Sequence, residues 1–456
     1  MFRIKNVKMT EGPILKSVII YAIPIVLSGF LQIFFNAADL AIVGNFADPD
    51  RATAATAAVG ATGSFIGLIV QTVMGLSTGV NVTLAKSLGA KDSEQSRCIV
   101  HTALFISLIC GVVVGIVGFL ISPFAMTVTK CPPNAKTMAI QYMRIYFVGC
   151  PAIFIYNFGS AILRTKGDTQ RPLNFLALAG VVNVVLNFIF VVFFHMAAAG
   201  VALATTLSQC LAAFLTVRCL MAQDDETRLI PSLLHIHKKE LLGIVRYGLP
   251  SGLSTAMFAF ANVQIQSAVN SFGESAVAGS AASGSLESFI SAGVSSLNAA
   301  TVAFVGQNLG AGNLKRAKKV IFCCLMLTLA FTLVLGFGIY LIGEPLYRIY
   351  VPNDDKAVEV AGIRAEIMMT TNFFLGLQNI LGAATQVFGY AFTITVISVI
   401  GVFGIRTLWM NFLYPIFGTL EMVYGCYPAS WIIISVANGV ALWIAYRNYK
   451  KKMKVL

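Results

Sequence analysis

Asp39 is a carboxylate set within a long apolar run, and its neighbours repeat at helical spacing. Asn36 lies three residues earlier, on the same face of a helix, and Gln32 lies one turn before that. The stripe Gln32, Asn36, Asp39 is polar in an otherwise apolar segment. An ionised carboxylate at the centre of a membrane helix costs roughly 2.5–3.5 kcal/mol on insertion scales, so such a group faces a cavity or a partner. There it can take up a proton or coordinate sodium. Either event removes net charge from a low-dielectric site and can bias the protein between two shapes. Asn183 and Asn187 are four residues apart and share a face, and Thr205 follows in the next apolar run. Their oxygens suit a hard cation but cannot titrate; the alternative use is hydrogen bonding between helices. Glu287 lies in a later run, just after GSAASGS, and Glu366 lies in another. Each can attract a cation or make a structural ion pair, and for Glu366 the candidate partners are Arg364 and Arg406. Phe35, Tyr156 and Phe158 offer aromatic faces that attract cations, and Asn157 is a polar neighbour.

The elements that hold these residues follow from composition. The chain has 456 residues, of which 57% are hydrophobic and 11% charged, with a mean hydropathy of +0.81. A soluble domain carries about 25% charged residues, so this chain cannot cover a soluble surface. That excludes a soluble enzyme, a disordered scaffold and a secreted disulfide protein. The 39 glycines agree with membrane helices, where glycine is common. The apolar runs are continuous, unlike the alternating strands of a membrane barrel. The nine cysteines are odd in number, lack a C-x-x-C pair and sit mostly in apolar runs, so they read as packing residues. The start, MFRIKNVKMTEGPILK, is polar and basic and leads into a full span, which predicts no cleaved leader.

Twelve spans are predicted, near 17–46, 55–84, 98–122, 138–163, 172–194, 198–220, 242–271, 276–305, 319–342, 359–388, 391–415 and 422–446. With the amino terminus inside, 24 of the 32 basic residues fall on inner segments and five on outer loops. The other three, Arg144, Arg364 and Arg406, lie within spans. This bias predicts both termini in the cytoplasm and the loops 123–137 and 343–357 outside. It also accounts for the net charge of +13 without nucleic acid. The polar connection 221–241 divides the chain. Across it, Pro24, Leu27, Ser28, Asn36, Val43 and Phe46 meet Pro250, Leu253, Ser254, Asn262, Val269 and Phe272 at a shift of 226. Gly63, Ser64, Leu76, Leu88, Gly89 and Ala90 meet Gly284, Ser285, Leu297, Leu309, Gly310 and Ala311 at a shift of 221. The reading is an all-α integral membrane protein with an amino-terminal six-helix lobe (1–220), a cytoplasmic connection (221–241) and a carboxy-terminal six-helix lobe (242–456). An even number of spans per half relates the lobes by a pseudo-twofold axis along the membrane normal, an architecture of secondary transporters.

Several segments resemble the multidrug and toxic compound extrusion (MATE) family of bacterial exporters. They are IPIVLSGFLQIFFNAADLAIVGNF, LAKSLGAKD, YMRIYFVGCPAIFIYNFGSAILRTKGDTQRP, NVVLNFIF, GVALATTLSQ, LESF, FVGQNLGAGNLKRAKK, IRTLWMNFLYPIF and YPASW. Together they cover nearly the whole chain. The resemblance implies a twelve-helix exporter of amphipathic, cationic organic compounds, driven by sodium ions or protons through alternating access. It assigns the coupling role to the aspartate matching Asp39, on a helix able to bend at the proline matching Pro24. Many bacterial members have an aspartate in the place of Asn187, so this chain departs there and leaves one carboxylate in the amino-terminal site.

The expected ion or proton site, and the set for sodium, is Asp39, Asn183, Asn187 and Thr205. The expected substrate contacts are Gln32, Phe35, Asn36, Tyr156, Asn157, Glu287 and Glu366. No cofactor is expected besides the coupling sodium ion or proton. Partners are small organic substrates and the lipid bilayer, with no nucleic acid, and the protein is expected to be a monomer in the bacterial plasma membrane. A lipid-linked precursor flippase of the same superfamily is the alternative, but flippases often have a strongly basic central cavity, and here the basic residues collect at the inner face. An intramembrane enzyme would need a clustered catalytic set, and the sequence offers none. His235 and His237 read as loop residues, the triplet Asn81-Val82-Thr83 lies in a span, and the basic run Lys315–Lys319 reads as topology.

Overall fold

The computed structural model describes residues 7–129 and 131–455, all of them helix, turn or loop with no strand. Arg3, Lys5 and Lys130, counted above for orientation, lie outside the described residues. The helices of the first half are α1 (Ile14–Phe46), α2 (Pro49–Gly89), α3 (Ser93–Val128), α4 (Pro133–Val148), α5 (Cys150–Lys166), α6 (Gln170–Phe188) and α7 (Ala197–Met221). Those of the second are α8 (Lys238–Asn270), α9 (Glu274–Gly310), α10 (Leu314–Leu341), α11 (Gly343–Tyr350), α12 (Asp355–Val387), α13 (Ala391–Ser398), α14 (Ile405–Leu408), α15 (Tyr414–Phe417) and α16 (Leu420–Val455). A π-helical turn, Ile189–Phe193, follows α6, and two more, Val399–Gly404 and Trp409–Leu413, flank α14.

Among the described residues, nine helices are long and apolar enough to cross a membrane. The pair α4 and α5 makes a tenth span, bent by 48° at Gly149. The sequence reads this pair as one span, 138–163, because its apolar character is unbroken. Pro151, with no N–H to give a helix ladder, lies just after the break. Helices α8 and α12, each 33 residues, take the places of the seventh and tenth predicted spans but are less apolar. They carry Arg246, Asn262, Gln264, Arg364 and Glu366, whose polar atoms lower the hydropathy. The loop read at 123–137 shrinks, since α3 runs to Val128 and α4 starts at Pro133. The loop read at 343–357 contains the short helix α11.

The described residues form two compact units: residue 7 with 27–252, and residues 8–26 with 253–455. The borders fall inside α1 and α8, two residues after Pro24 and two after Pro250. These are the prolines that the repeat superposes. Each removes one hydrogen bond from its helix ladder, so the helix is softened close to the point where it passes from one unit to the other.

In the first unit the core contains Val43, Leu84, Ile99, Phe147, Phe154 and Phe158. Small residues let helices approach closely there, as is usual in membranes: a Cβ on Gly79 would collide with the carbonyl of Ile244. The connection between the halves is fastened to this unit. Ile230 N donates to His101 Nε2 at 3.1 Å, and His237 N donates to Thr102 Oγ1 at 3.1 Å. Lys166 pairs with Asp225. Burial pushes the Asp225 carboxyl up, but hydrogen bonds from Lys166 and Thr227 outweigh it and hold the group below the usual range. In the second unit the core is made of smaller clusters, one around Ile290, Ala365 and Met369 and another around Ile265, Val269, Val423 and Cys426. Large apolar side chains such as Phe124, Val334 and Phe392 are exposed, as lipid-facing residues are.

Candidate functional site

A cavity of about 410 Å³ opens in the first unit. Helix α1 brings Gln32, Phe35, Asn36 and Asp39 to it, at spacings of three and four residues that put them on one face. Helix α2 supplies Gln71, Met74 and Ser77, and the bent pair supplies Tyr142, Tyr146, Ile153, Tyr156 and Asn157. Helices α6 and α7 add Asn183, Thr205, Ser208 and Gln209. Phe35 fits because Gly180 has no side chain; a Cβ there would run into the ring. Among the described residues that line this cavity, Asp39 is the one carboxylate.

Asp39 is half-buried and Asn187, behind it, is fully buried. Asn187 Nδ2 donates to Asp39 Oδ1. The Asn183 amide has two useful orientations. In one, its nitrogen donates to Asp39 Oδ1 at 2.9 Å and its oxygen accepts from the Thr205 backbone N–H at 3.3 Å. In the other, its nitrogen donates to Thr205 Oγ1 at 3.3 Å and its oxygen accepts from Asn187 Nδ2 at 3.3 Å. The first suits an ionised Asp39, which only accepts. The second brings two oxygens together and is favourable when Asp39 carries a proton to donate. Asn187 Oδ1 is buried with no hydrogen-bond partner among the described residues. A buried carbonyl oxygen without a partner is costly and is the kind of ligand a hard cation takes. One carboxylate with neutral oxygens therefore fits sodium or a proton. The site also lies next to the π-turn after α6, a distortion that is frequent at functional sites.

All the first-half residues singled out from the sequence as coupling or substrate contacts thus meet at one cavity or directly behind it. Tyr156 OH donates to the Pro172 carbonyl at 3.2 Å, and Asn157 Nδ2 donates to the Ile153 carbonyl at 2.8 Å. Phe158 does not line the cavity; it is fully buried and stacks on Phe154 at 6.4 Å between ring centroids. Tyr142, Tyr146, Gln71, Ser77, Ser208 and Gln209 were missed. Tyr142 and Tyr146, four apart and stacked with centroids 6.5 Å apart, left a helical spacing that could have flagged them.

The second unit holds the other two candidates, Glu287 on α9 and Glu366 on α12. Glu287 on α9 accepts from Arg364 Nη2 at 2.9 Å. The Arg364 Nη1 group also donates to the Ser280 carbonyl at 2.6 Å and to its hydroxyl at 2.9 Å. Glu366 is exposed and makes no ion pair among the described residues. The pairing considered for it, with Arg364 or Arg406, does not form. Arg364 is taken by Glu287, and Arg406 is completely buried with neutral hydrogen-bond partners. Arg406 Nε donates to Ser430 Oγ at 3.1 Å, and Nη1 donates to Asn262 Oδ1 at 3.2 Å. Its guanidinium lies 4.3 Å from the Tyr427 ring and 5.2 Å from that of Phe258.

The profile of the MatE family matches residues 24–189 and 250–410, more than half of the chain. The chain is 27% identical over 404 residues to the "Probable multidrug resistance protein YpnP" of Bacillus subtilis (strain 168), covering 88% of this chain and 89% of that protein. It is 21% identical over 413 residues to the "Multidrug export protein MepA" of Staphylococcus aureus (strain MRSA252), covering 90% of each. Among solved structures, it superposes on an outward-facing multidrug resistance MATE family transporter of the MOP superfamily. That match has a TM-score of 0.85 at 21% identity, over 100% of this chain and 99% of the other. At that identity the likeness speaks to the fold.

Proposed function

The chain belongs to the MatE family of multi-pass membrane transporters, and from that premise we propose that it is a secondary active antiporter. It exports amphipathic organic cations in exchange for sodium ions or protons, and Asp39 takes up the coupling ion. The observation that carries the reading is the placement of one carboxylate, Asp39, in a polar and aromatic cavity against Asn187 and Asn183. A proton is accommodated by turning the Asn183 amide. A sodium ion has the oxygens of Asp39, Asn183, Asn187 and Thr205 on offer. Both leave the site neutral, so charge alone does not choose between them.

Phe35, Tyr156, Gln32, Asn36 and Asn157 give a cationic, partly apolar compound both ring faces and hydrogen-bond groups. Of the two acids expected to contact substrate in the second unit, Glu366 is exposed and makes no ion pair among the described residues, while the charge of Glu287 is already met by Arg364. The excess of basic residues on one set of connections supports cytoplasmic termini in a bacterial plasma membrane.

The test is dye efflux from vesicles under an imposed sodium gradient and, separately, under an imposed pH gradient. Asn183→Ala and Asn187→Ala should weaken sodium-driven efflux several-fold more than proton-driven efflux, because neutral oxygens matter for coordinating a hard cation and less for protonating one acid. If wild-type efflux ignores sodium, or both variants keep full sodium dependence, the sodium reading fails. The asparagines then serve helix packing.

A further inference from the structure

Helices α10 and α16 both pack against α12, and between them lies a groove of about 820 Å³ that the transport reading does not use. Its walls are apolar. Helix α10 contributes Ile321, Phe322 and Leu325, and α16 contributes Leu442, Trp443 and Tyr446. Gly439 leaves space at one side. Phe322 is 64% exposed and Trp443 58% exposed, so the groove faces the surrounding medium, which for this chain is lipid.

One end of the groove is strongly cationic. Lys318 stands one turn before Phe322, and Arg447, Lys450 and Lys451 continue the α16 face beyond Tyr446. The Arg447 guanidinium lies 4.6 Å from the Trp443 ring. No acid occurs anywhere on α10, and the one acid on α16, Glu421, is in its first turn, at the opposite end of the helix. Among the described residues these four cations make no ion pair.

A groove with an apolar body and a ring of unmatched cations at one end matches a molecule with the same division and the opposite charge. We propose that it binds one anionic phospholipid from the leaflet that holds the carboxy-terminal end of α16. The phosphate and headgroup meet Lys318, Arg447, Lys450 and Lys451, and an acyl chain lies along Ile321, Phe322 and Leu442. Basic pockets between membrane helices recognise acidic headgroups in this way. The same charges disfavour the other occupants. A second copy seated through this face about a twofold axis would set the cations against themselves. A zwitterionic lipid brings a cation of its own.

The chain has three tryptophans. Replacing two of them, Trp409→Phe and Trp431→Phe, leaves Trp443 as a reporter in the groove. The full-length protein is reconstituted in phosphatidylcholine vesicles containing a small, equal fraction of brominated phosphatidylglycerol or brominated phosphatidylcholine. Brominated phosphatidylglycerol should quench Trp443 several-fold more. The affinity for phosphatidylglycerol, read from how quenching rises with the brominated fraction, should fall about fivefold for each groove charge removed, and the preference should vanish in K318Q/R447Q/K450Q/K451Q. Lys315→Gln with Lys319→Gln, on the same helix end but outside the groove, should leave it in place. In case the tryptophan replacements disturb folding, phosphatidylglycerol retained by the otherwise native protein through detergent purification is measured for the same charge variants. Three results overturn the site: equal effects of the two lipids, an equal loss in the Lys315/Lys319 control, or shielding of Trp443 from both lipids as protein density rises. The last is what a second copy in the groove would give.

Discussion

In the first unit, an acid on α1 lies against two asparagines of α6, just before a π-turn; in the second, an arginine lies between two π-turns against an asparagine of α8 and a serine of α16. The two stretches hold equivalent places, each preceding the last long helix of its half. Both put a charge in an apolar bundle, yet their chemistry is opposite. A carboxylate can lose its charge by taking a proton or a cation. A guanidinium keeps its charge and is met by neutral acceptors and ring faces. Under the proposed coupling, the first unit holds the charge that changes during the cycle, and the second holds one that stays.

The sharpest way to break this comparison is Asp39→Asn. It should bring gradient-driven efflux to background while the protein still inserts and folds, as judged by expression and thermal denaturation in detergent. Full efflux at equal expression would remove Asp39 from the mechanism.

A smaller effect is expected at the ion pair of the second unit. Arg364→Met leaves the carboxylate of Glu287, which is only 14% exposed, without its cation and should cost about 3 kcal/mol in stability. Adding Glu287→Gln should recover more than half of that loss. A loss that the second substitution does not reduce would show that Arg364 acts through other contacts.

The smallest effects concern Arg406. Asn262→Ala removes an acceptor from a buried guanidinium and should cost about 1–2 kcal/mol. Arg406→Met removes the charge itself with much of the volume kept, and should change stability by less than about 1 kcal/mol. If Arg406→Met proves much the more damaging, the arginine is a structural keystone and the contrast between the units loses its force.

Much of the first cavity was legible because a helix has a fixed period. Gln32, Asn36 and Asp39 fall on one face whatever surrounds them, and so do Asn183 and Asn187. Gln71 and Ser77 were not legible, because their helix is apolar on most sides. Lipid is as apolar as a protein core, so hydrophobic pattern does not tell an inward face from an outward one. The partner of Glu287 was also hidden. Arg364 is 77 residues away, and nothing local separates it from Arg406 as a candidate for either acid.

Local chain properties are what the amino-acid order determined by itself: long apolar runs, their repeat across 221–241, the prolines at 24 and 250, and the helical phase of each polar stripe. These depend on backbone geometry and on the cost of moving charge into lipid, which act within a turn or a span. Tertiary structure decided which stripes meet. It seated Asn187 behind Asp39, gave Glu287 to Arg364 and gave Arg406 neutral hydrogen-bond partners. Those outcomes depend on side chains far apart in sequence sharing a low-dielectric space, where each polar atom must find a partner, and only the packed helices supply the partners.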